Sequence, residues 1–192
     1  FPPEVTGILA ALELLDAPSS VEFRMQVNGE DNTIAVESMR LSVEDGASVD
    51  MSFAVSNVNA ASAFAALMDT EDPDALAEGF GDATLDGFVV SLTDNGLRER
   101  GLALGSAMMS TSQEGVQSMA MFAVAGGLAS LGLNDLANEA SAVVSAFLRD
   151  GGTIRVSAEP TEPLGAEQFE ALADEQDPAA LVDLLNLSVS VD

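Results

Sequence analysis

A strict alternation of apolar and polar residues is the clearest pattern in the first third of the chain. Four large apolar residues stand at every second position, namely Val21, Phe23, Met25 and Val27. Residues two apart along a strand lie on the same face of a sheet. The pattern therefore predicts a β-strand with one face in a core and the other in water.

The next strand pattern changes phase in its middle. Residues 34–36 and residues 39–43 both alternate, but the apolar side chains stand at even positions in the first and at odd positions in the second. A β-bulge near Glu37 and Ser38 would return both halves to one face. The polar residues 28–32, which begin with Asn-Gly, predict a hairpin between the two strands.

A third strand and then a mixture of helices and strands are predicted for the rest of the chain. Helical patterns cover residues 8–15, 60–68, the residues after Asp72-Pro73, 97–148, 169–172 and the residues after Asp177-Pro178. Strand patterns cover residues 49–55, 88–92, 154–158 and 187–191. Early strands joined by short turns favour an antiparallel meander, to which the later strands are added, with helices packed on one face. We therefore expect one α+β domain over residues 1–192.

Two helix starts are predicted inside residues 97–148. Thr111 and Glu114 have the spacing of a capping box, in which a hydroxyl and a carboxylate satisfy free backbone N–H groups. Asn134 is expected to cap the following helix, and the Gly-Gly pair at 151–152 is expected to end it.

Acidic residues outnumber basic ones by more than five to one. The chain has 32 Asp and Glu, six Arg and no Lys, which gives a formal net charge of −26. Such a surface repels the phosphates of nucleic acids and anionic lipid headgroups, so we expect no nucleic-acid partner. Hydrophobic residues make up 47% of the chain, which is enough for a core and argues against general disorder.

The residue types that carry most enzyme chemistry are missing from the sequence. Without His, Cys and Lys, the chain lacks the usual bases and nucleophiles of hydrolases and the usual ligands of zinc. We expect a protein that is not an enzyme and has no cofactor or metal ion. Two carboxylates could still form a hydrolytic acid–base pair. The acidic loops 28–32 and 69–74 contain oxygen ligands of the kind calcium binds, but neither has the spacing of an EF-hand.

A cluster of methionines marks the middle of the helical region. Met108, Met109, Met119 and Met121 lie within fourteen positions and are followed by Phe122, and residues 115–134 carry no charge. The stretch is as long as a membrane span, but its Gly, Gln and Ser residues and the lack of flanking Lys or Arg argue against one. A helical hairpin buried against the sheet is one interpretation. The other is that these five flexible, apolar side chains line an adaptable site for a hydrophobic ligand.

The second half of the chain resembles a known group of proteins. The resemblance covers residues 85–192 and rests on the order and spacing of five segments: SLTDNGL at 91–97, AFLRDGGTI at 146–154, AEPTEP at 158–163, DPAAL at 177–181 and LSVSV at 187–191. The group consists of uncharacterised alphaproteobacterial periplasmic or envelope proteins that are distantly AsmA-like. The resemblance implies a periplasmic location and a chain that is the C-terminal part of a longer exported protein. The AsmA-like comparison adds a role in lipid handling, and no functional residue is transferred.

The leading hypothesis is a non-enzymatic periplasmic or secreted domain that binds a hydrophobic ligand, such as lipid, between its sheet and its helices. The alternative is a structural or self-assembling interaction module. Its acidic surface would keep it dispersed or attract a basic partner, and it would form homo-oligomers. An apolar hollow under the helices favours the first hypothesis, and a filled core with concentration-dependent association favours the second.

Overall fold

Six strands form one antiparallel sheet in which the spatial order follows the chain. The computed structural model describes residues 6–7, 10–59, 81–166, 168 and 177–192. The strands are β1 (Ser19–Asn28), β2 (Thr33–Val43), β3 (Ala47–Ser56), β4 (Thr84–Asp94), β5 (Thr153–Ala158) and β6 (Leu187–Val191). Helices α1 (Leu97–Met109), α2 (Gln113–Ser130) and α3 (Asn134–Asp150) connect β4 to β5, and α4 (Pro178–Leu185) precedes β6. The predicted α+β class is confirmed.

The strand register confirms the predicted bulge in β2. Met25 pairs with Val36 while Arg24 pairs with Ser38, so Glu37 is an extra residue on β2. The bulge brings the two halves of β2 into phase, as the alternation of its sequence requires. A second bulge lies in β4, where Asp86 is the extra residue opposite β3.

Two neighbouring turns are hydrogen-bonded to each other at one end of the sheet. The backbone N–H groups of Asn95 and Leu97 donate to the carbonyl oxygen of Gly46 at 2.9 and 2.8 Å. Gly96 has a φ of 122°, and a Cβ atom there would lie 2.8 Å from the carbonyl oxygen of Asp45. Only glycine therefore fits where the β4–α1 turn crosses the β2–β3 turn.

The helix starts differ from the predicted ones by one residue. The N-cap of α2 is Ser112, whose hydroxyl accepts from the N–H of Gly115 at 3.2 Å, so the predicted box between Thr111 and Glu114 is wrong. Asn134 is the first residue of α3 and does not cap it. Both shifts arise because capping depends on the exact backbone path at a helix end. The glycine end of α3 and the Asp177-Pro178 start of α4 are confirmed.

The predicted helix over residues 8–15 does not continue beyond residue 11. Residues 6, 7, 10 and 11 are helical, but residues 12–16 form turns. Arg100 holds this turn, because its Nη1 donates to the carbonyl oxygens of Leu12 and Glu13 at 3.1 and 3.3 Å. The helices predicted for residues 60–68, after Asp72-Pro73 and for residues 169–172 lie outside the described residues.

Arg98 joins the start of α1 to the end of α3. The Oδ1 atom of Asp94 accepts from the backbone N–H groups of Gly96 and Arg98, and its Oδ2 atom lies 3.4 Å from Nε of Arg98. Nη1 of Arg98 donates to the carbonyl oxygens of Arg149 at 2.9 Å and Leu148 at 3.3 Å. These carbonyls belong to the last turn of α3, which has no helical donors for them.

A separate, exposed ion pair lies at the same helix end. Arg149 donates from Nε and Nη2 to Asp150 at 3.0 and 2.8 Å. This hydrogen-bonded pairing holds the pKa of Asp150 below its ordinary value and raises the pKa of Arg149. Water screens such a surface pair, so it contributes little to the attachment of α3.

Replacing Arg98 by Met should lower the free energy of unfolding by roughly 2–4 kcal/mol, because it removes a donor from two α3 carbonyls and the counter-ion of the largely buried Asp94 carboxylate. Urea denaturation measures the change. Arg155→Met is the control, because Arg155 is half exposed and its one ion pair, with Asp192, is long at 4.0 Å. This substitution should cost less than about 1 kcal/mol. Equal losses in the two variants would show that Arg98 does not anchor α3.

Candidate functional site

The register aligns the apolar residues of all six strands into rows across the sheet. The first row is Val21, Leu41, Val49, Leu92, Ile154 and Val191. The second is Phe23, Met39, Met51, Val90, Val156 and Val189. The third is Met25, Val36, Phe53, Phe88, Ala158 and Leu187. Directly paired residues of antiparallel strands point to the same side, so these rows make one apolar face.

The cover over this face decreases toward β1. Ala158 on β5 is 1% exposed, whereas Val21 on β1 is 72% exposed. Seven large apolar residues of β1–β3 expose more than a third of their surface: Val21, Phe23, Met25, Val27, Met39, Leu41 and Phe53. We call these seven residues the open apolar face. Large contiguous apolar patches are uncommon on soluble monomers and mark interaction sites.

Helix α3 covers the part of the apolar face that β5 and β6 form. On β6, Val189 and Val191 are half-buried while Ser188 and Ser190 are exposed, so α3, which packs on β5 and β6, lies on the apolar side. Its buried residues are Ala137, Ala140 and Val143. Helices α1 and α2 pack mainly on their neighbouring helices, and none of the described helices makes more than marginal contact with β1–β3.

The opposite face of the sheet is polar. One row across it reads Glu22, Arg40, Asp50, Ser91, Arg155 and Ser190, so that its charges alternate in sign. Ser38 donates to Asp50 at 2.8 Å. Three of the six arginines of the chain, Arg24, Arg40 and Arg155, lie on this face.

A shallow groove of about 420 Å³ crosses β2–β5 at the end where the two bulges lie. Its lining includes three small residues, Ala35, Ala54 and Gly87, and three carboxylates, Glu37, Asp86 and Glu159. None of its described lining residues is cationic, so the groove offers no counter-ion for a phosphate or carboxylate ligand. Within the ranges that the structure describes, no group of three or more acidic residues could hold a metal ion.

The five residues predicted as a ligand site lie at the surface of α1 and α2. Phe122 is 80% exposed and Met108 is 76% exposed. Met109 and Met119 are about half exposed, and Met121 is half-buried. The predicted burial of this hairpin against the sheet is wrong for α2, which has no buried residue. In the described part of the chain, no helix has the length and apolarity that a bilayer crossing requires.

The residues of the open apolar face are the ones that sequence reasoning missed. The alternation in β1 predicts Val21, Phe23, Met25 and Val27 in a core, but all four are about half exposed or more. The alternation identifies an apolar face correctly, yet it contains no information on what covers that face. The edge position of β1 leaves it farthest from α3.

Comparison with models of protein families gives a match. A family model described as "Uncharacterized protein" matches residues 40–192. This match includes β3–β6 and α1–α4, and it begins within β2. No curated protein and no solved structure matches the chain.

Polar substitutions on the two exposed apolar surfaces should leave the fold intact. Leu41→Thr on β2 and Phe122→Gln on α2 should each change the free energy of unfolding by less than about 1 kcal/mol, because much of each side chain already contacts water. Val143→Ala, in the buried side of α3, should cost about 2 kcal/mol. Urea denaturation of the three variants measures this order, and a larger loss for Leu41→Thr than for Val143→Ala would mean that the open apolar face is covered in solution.

Proposed function

The chain belongs to this family of uncharacterised proteins, and we propose that it binds lipid or another ligand with long hydrocarbon chains on its open apolar face. The observation that carries the proposal is the change in cover along one continuous face. Helix α3 covers the face at β5 and β6, and the same rows continue uncovered to Val21, Phe23 and Met25. An apolar ligand would complete the layer that α3 begins.

The shape of the open apolar face suits an extended hydrocarbon chain. Val21, Phe23, Met25 and Val27 follow one another along β1, and four alternate residues span about 20 Å. One leaflet of a bilayer holds acyl chains about 15 Å long. Met25 and Met39 add flexible side chains that adapt to irregular apolar ligands.

The charge of the chain restricts the class of lipid. A net charge of −26 repels anionic headgroups at distances shorter than the screening length of the salt solution. We therefore propose neutral or zwitterionic lipids as ligands. Apolar contact supplies the affinity, because the rows of the apolar face contain no charged residue.

The methionine surface of α1 and α2 is the second contact in this proposal. Met108, Met109, Met119 and Phe122 expose apolar surface, and Met121 lies in α2 with Met119 and Phe122. Glu114 is the one charged residue between positions 101 and 134. Flexible thioether side chains make few demands on ligand shape. The proposal thus gives the protein two exposed apolar surfaces for a hydrocarbon ligand, one on the sheet and one on the helices.

We propose a non-catalytic role and a location in the periplasm or outside the cell. The sequence supports the first point, since it has no His, Cys or Lys. The resemblance of residues 85–192 to envelope proteins supports the second. Neither point affects how the ligand would be held.

Native mass spectrometry after incubation with lipid vesicles tests the proposal. We expect adducts with phosphatidylcholine and at least about tenfold less binding of phosphatidylglycerol. The double variant Met39→Thr with Leu41→Thr should lower phosphatidylcholine binding at least about tenfold, because it removes two apolar contacts of about 1 kcal/mol each.

Leu15→Thr provides the matched control. Leu15 is 47% exposed, close to the 49% of Leu41, but it lies outside the sheet. It should leave lipid binding unchanged. Failure of the wild-type protein to retain either lipid, or an equal loss in the Leu15→Thr variant, would refute a lipid site on the open apolar face.

A further inference from the structure

Strand β1 is a long edge strand without the usual protection against pairing. It has ten residues and pairs on one side only, with β2, in the described part of the chain. It contains no proline and no lysine, and its own strand carries no extra residue, since the bulge lies on β2. Exposed edges of this kind present free backbone N–H and C=O groups to another strand.

The charges of β1 match those of a second β1 in one antiparallel register. Glu22 and Arg24 flank Phe23. If Phe23 lies opposite Phe23 of a second copy, Glu22 lies opposite Arg24 of that copy, and the pair occurs twice because the arrangement is two-fold symmetric. Opposite charges paired directly across strands stabilise a sheet.

The same register continues the patterns of both faces. On the polar face, Arg24 of the second copy would extend the row Glu22, Arg40 and Asp50, whose charges already alternate. The guanidinium group of Arg24 makes no hydrogen bond or ion pair within the described residues. On the apolar face, Val21 would lie opposite Met25 of the second copy, and these side chains are 72% and 49% exposed.

We infer that two copies of this chain pair through β1, antiparallel and centred on Phe23, to form one continuous sheet. The two open apolar faces then lie side by side on the same surface. The partner is a second copy and not another protein, because the charge pattern of β1 is complementary to itself. The inference does not depend on lipid binding, and its test uses no lipid.

The net charge does not prevent this contact. Two chains of −26 repel each other, but salt at about 0.15 M limits the repulsion to about 8 Å. The contacting strand itself is neutral, with one Glu and one Arg in ten residues. Pairing is therefore expected in physiological salt and weaker at low ionic strength.

A charge exchange tests the register. Light scattering after size exclusion should give a mass that approaches twice 19.7 kDa as concentration rises. Arg24→Glu and Glu22→Arg should each raise the dimer Kd at least about tenfold, since each creates two like-charge pairs. The double exchange should restore the affinity. Arg155→Glu, on the same face of β5 with the same change of charge as Arg24→Glu, is the control and should leave the Kd nearly unchanged.

Single cysteines supply a second, independent measurement in a chain that has none. Directly opposed residues of antiparallel strands have Cα atoms about 4.5–5.5 Å apart, within the range of a disulfide. Phe23→Cys should therefore form a disulfide-linked dimer on mild oxidation. Val27→Cys, on the same strand and face, should not, because the two copies of residue 27 would be about 27 Å apart. A monomer at every concentration, no rescue by the double exchange, or equal cross-linking at both positions would overturn the inference.

Discussion

The junction between the start of α1 and the end of α3 depends on Arg98. Its guanidinium group reaches the last carbonyls of α3 while Asp94 holds both its side chain and the first turn of α1. The backbone N–H of Asp94 also donates to the carbonyl oxygen of Gly152 at 2.9 Å, so the end of β4 and the start of β5 meet at the same point. Because all three helices are inserted between β4 and β5, the helical layer is fixed over that side of the sheet. The open apolar face follows from this topology: α3 reaches β5 and β6, and the meander carries β1–β3 away from it.

Local patterns predicted most of the strands because they record which face of a strand is apolar. The bulge at Glu37 was predictable from the phase change alone, since a bulge is the simplest way to keep Val36 and Met39 on one face. The bulge at Asp86 was not predicted. The predicted strand began only at Phe88, and the phase change becomes visible when Leu85 is included. The cap of α2 was predicted one residue from its position, because several polar residues in a row can serve there and the backbone path decides among them. Helix α3 begins after Leu133 without a side-chain cap.

The candidate site could be predicted only in part. The sequence shows that β1 and α2 are apolar, but exposure is a property of what packs against them, which is tertiary information. An apolar pattern in an edge strand and in a central strand looks the same, although Val21 and Val90 end in different surroundings. The absence of charge after Glu114 in α2 identified Met119 and Phe122 as unusual, because a surface helix normally carries charges on its outer side. The composition did not show whether α2 is covered by its own chain or exposed at the surface.

The large negative charge and the open apolar face have related physical roles. Covering several hundred Å² of apolar surface is favourable by on the order of 10 kcal/mol before the costs of association, so an uncharged protein with this surface would aggregate without selectivity. A charge of −26 opposes unselective contact between copies. The acidic residues are absent from the rows of the apolar face and from residues 115–134, so the charge does not oppose an apolar molecule that fits these surfaces. Contact is therefore favoured where apolar surface and local neutrality coincide, and among the strands of the described sheet β1 combines both with an unpaired backbone edge.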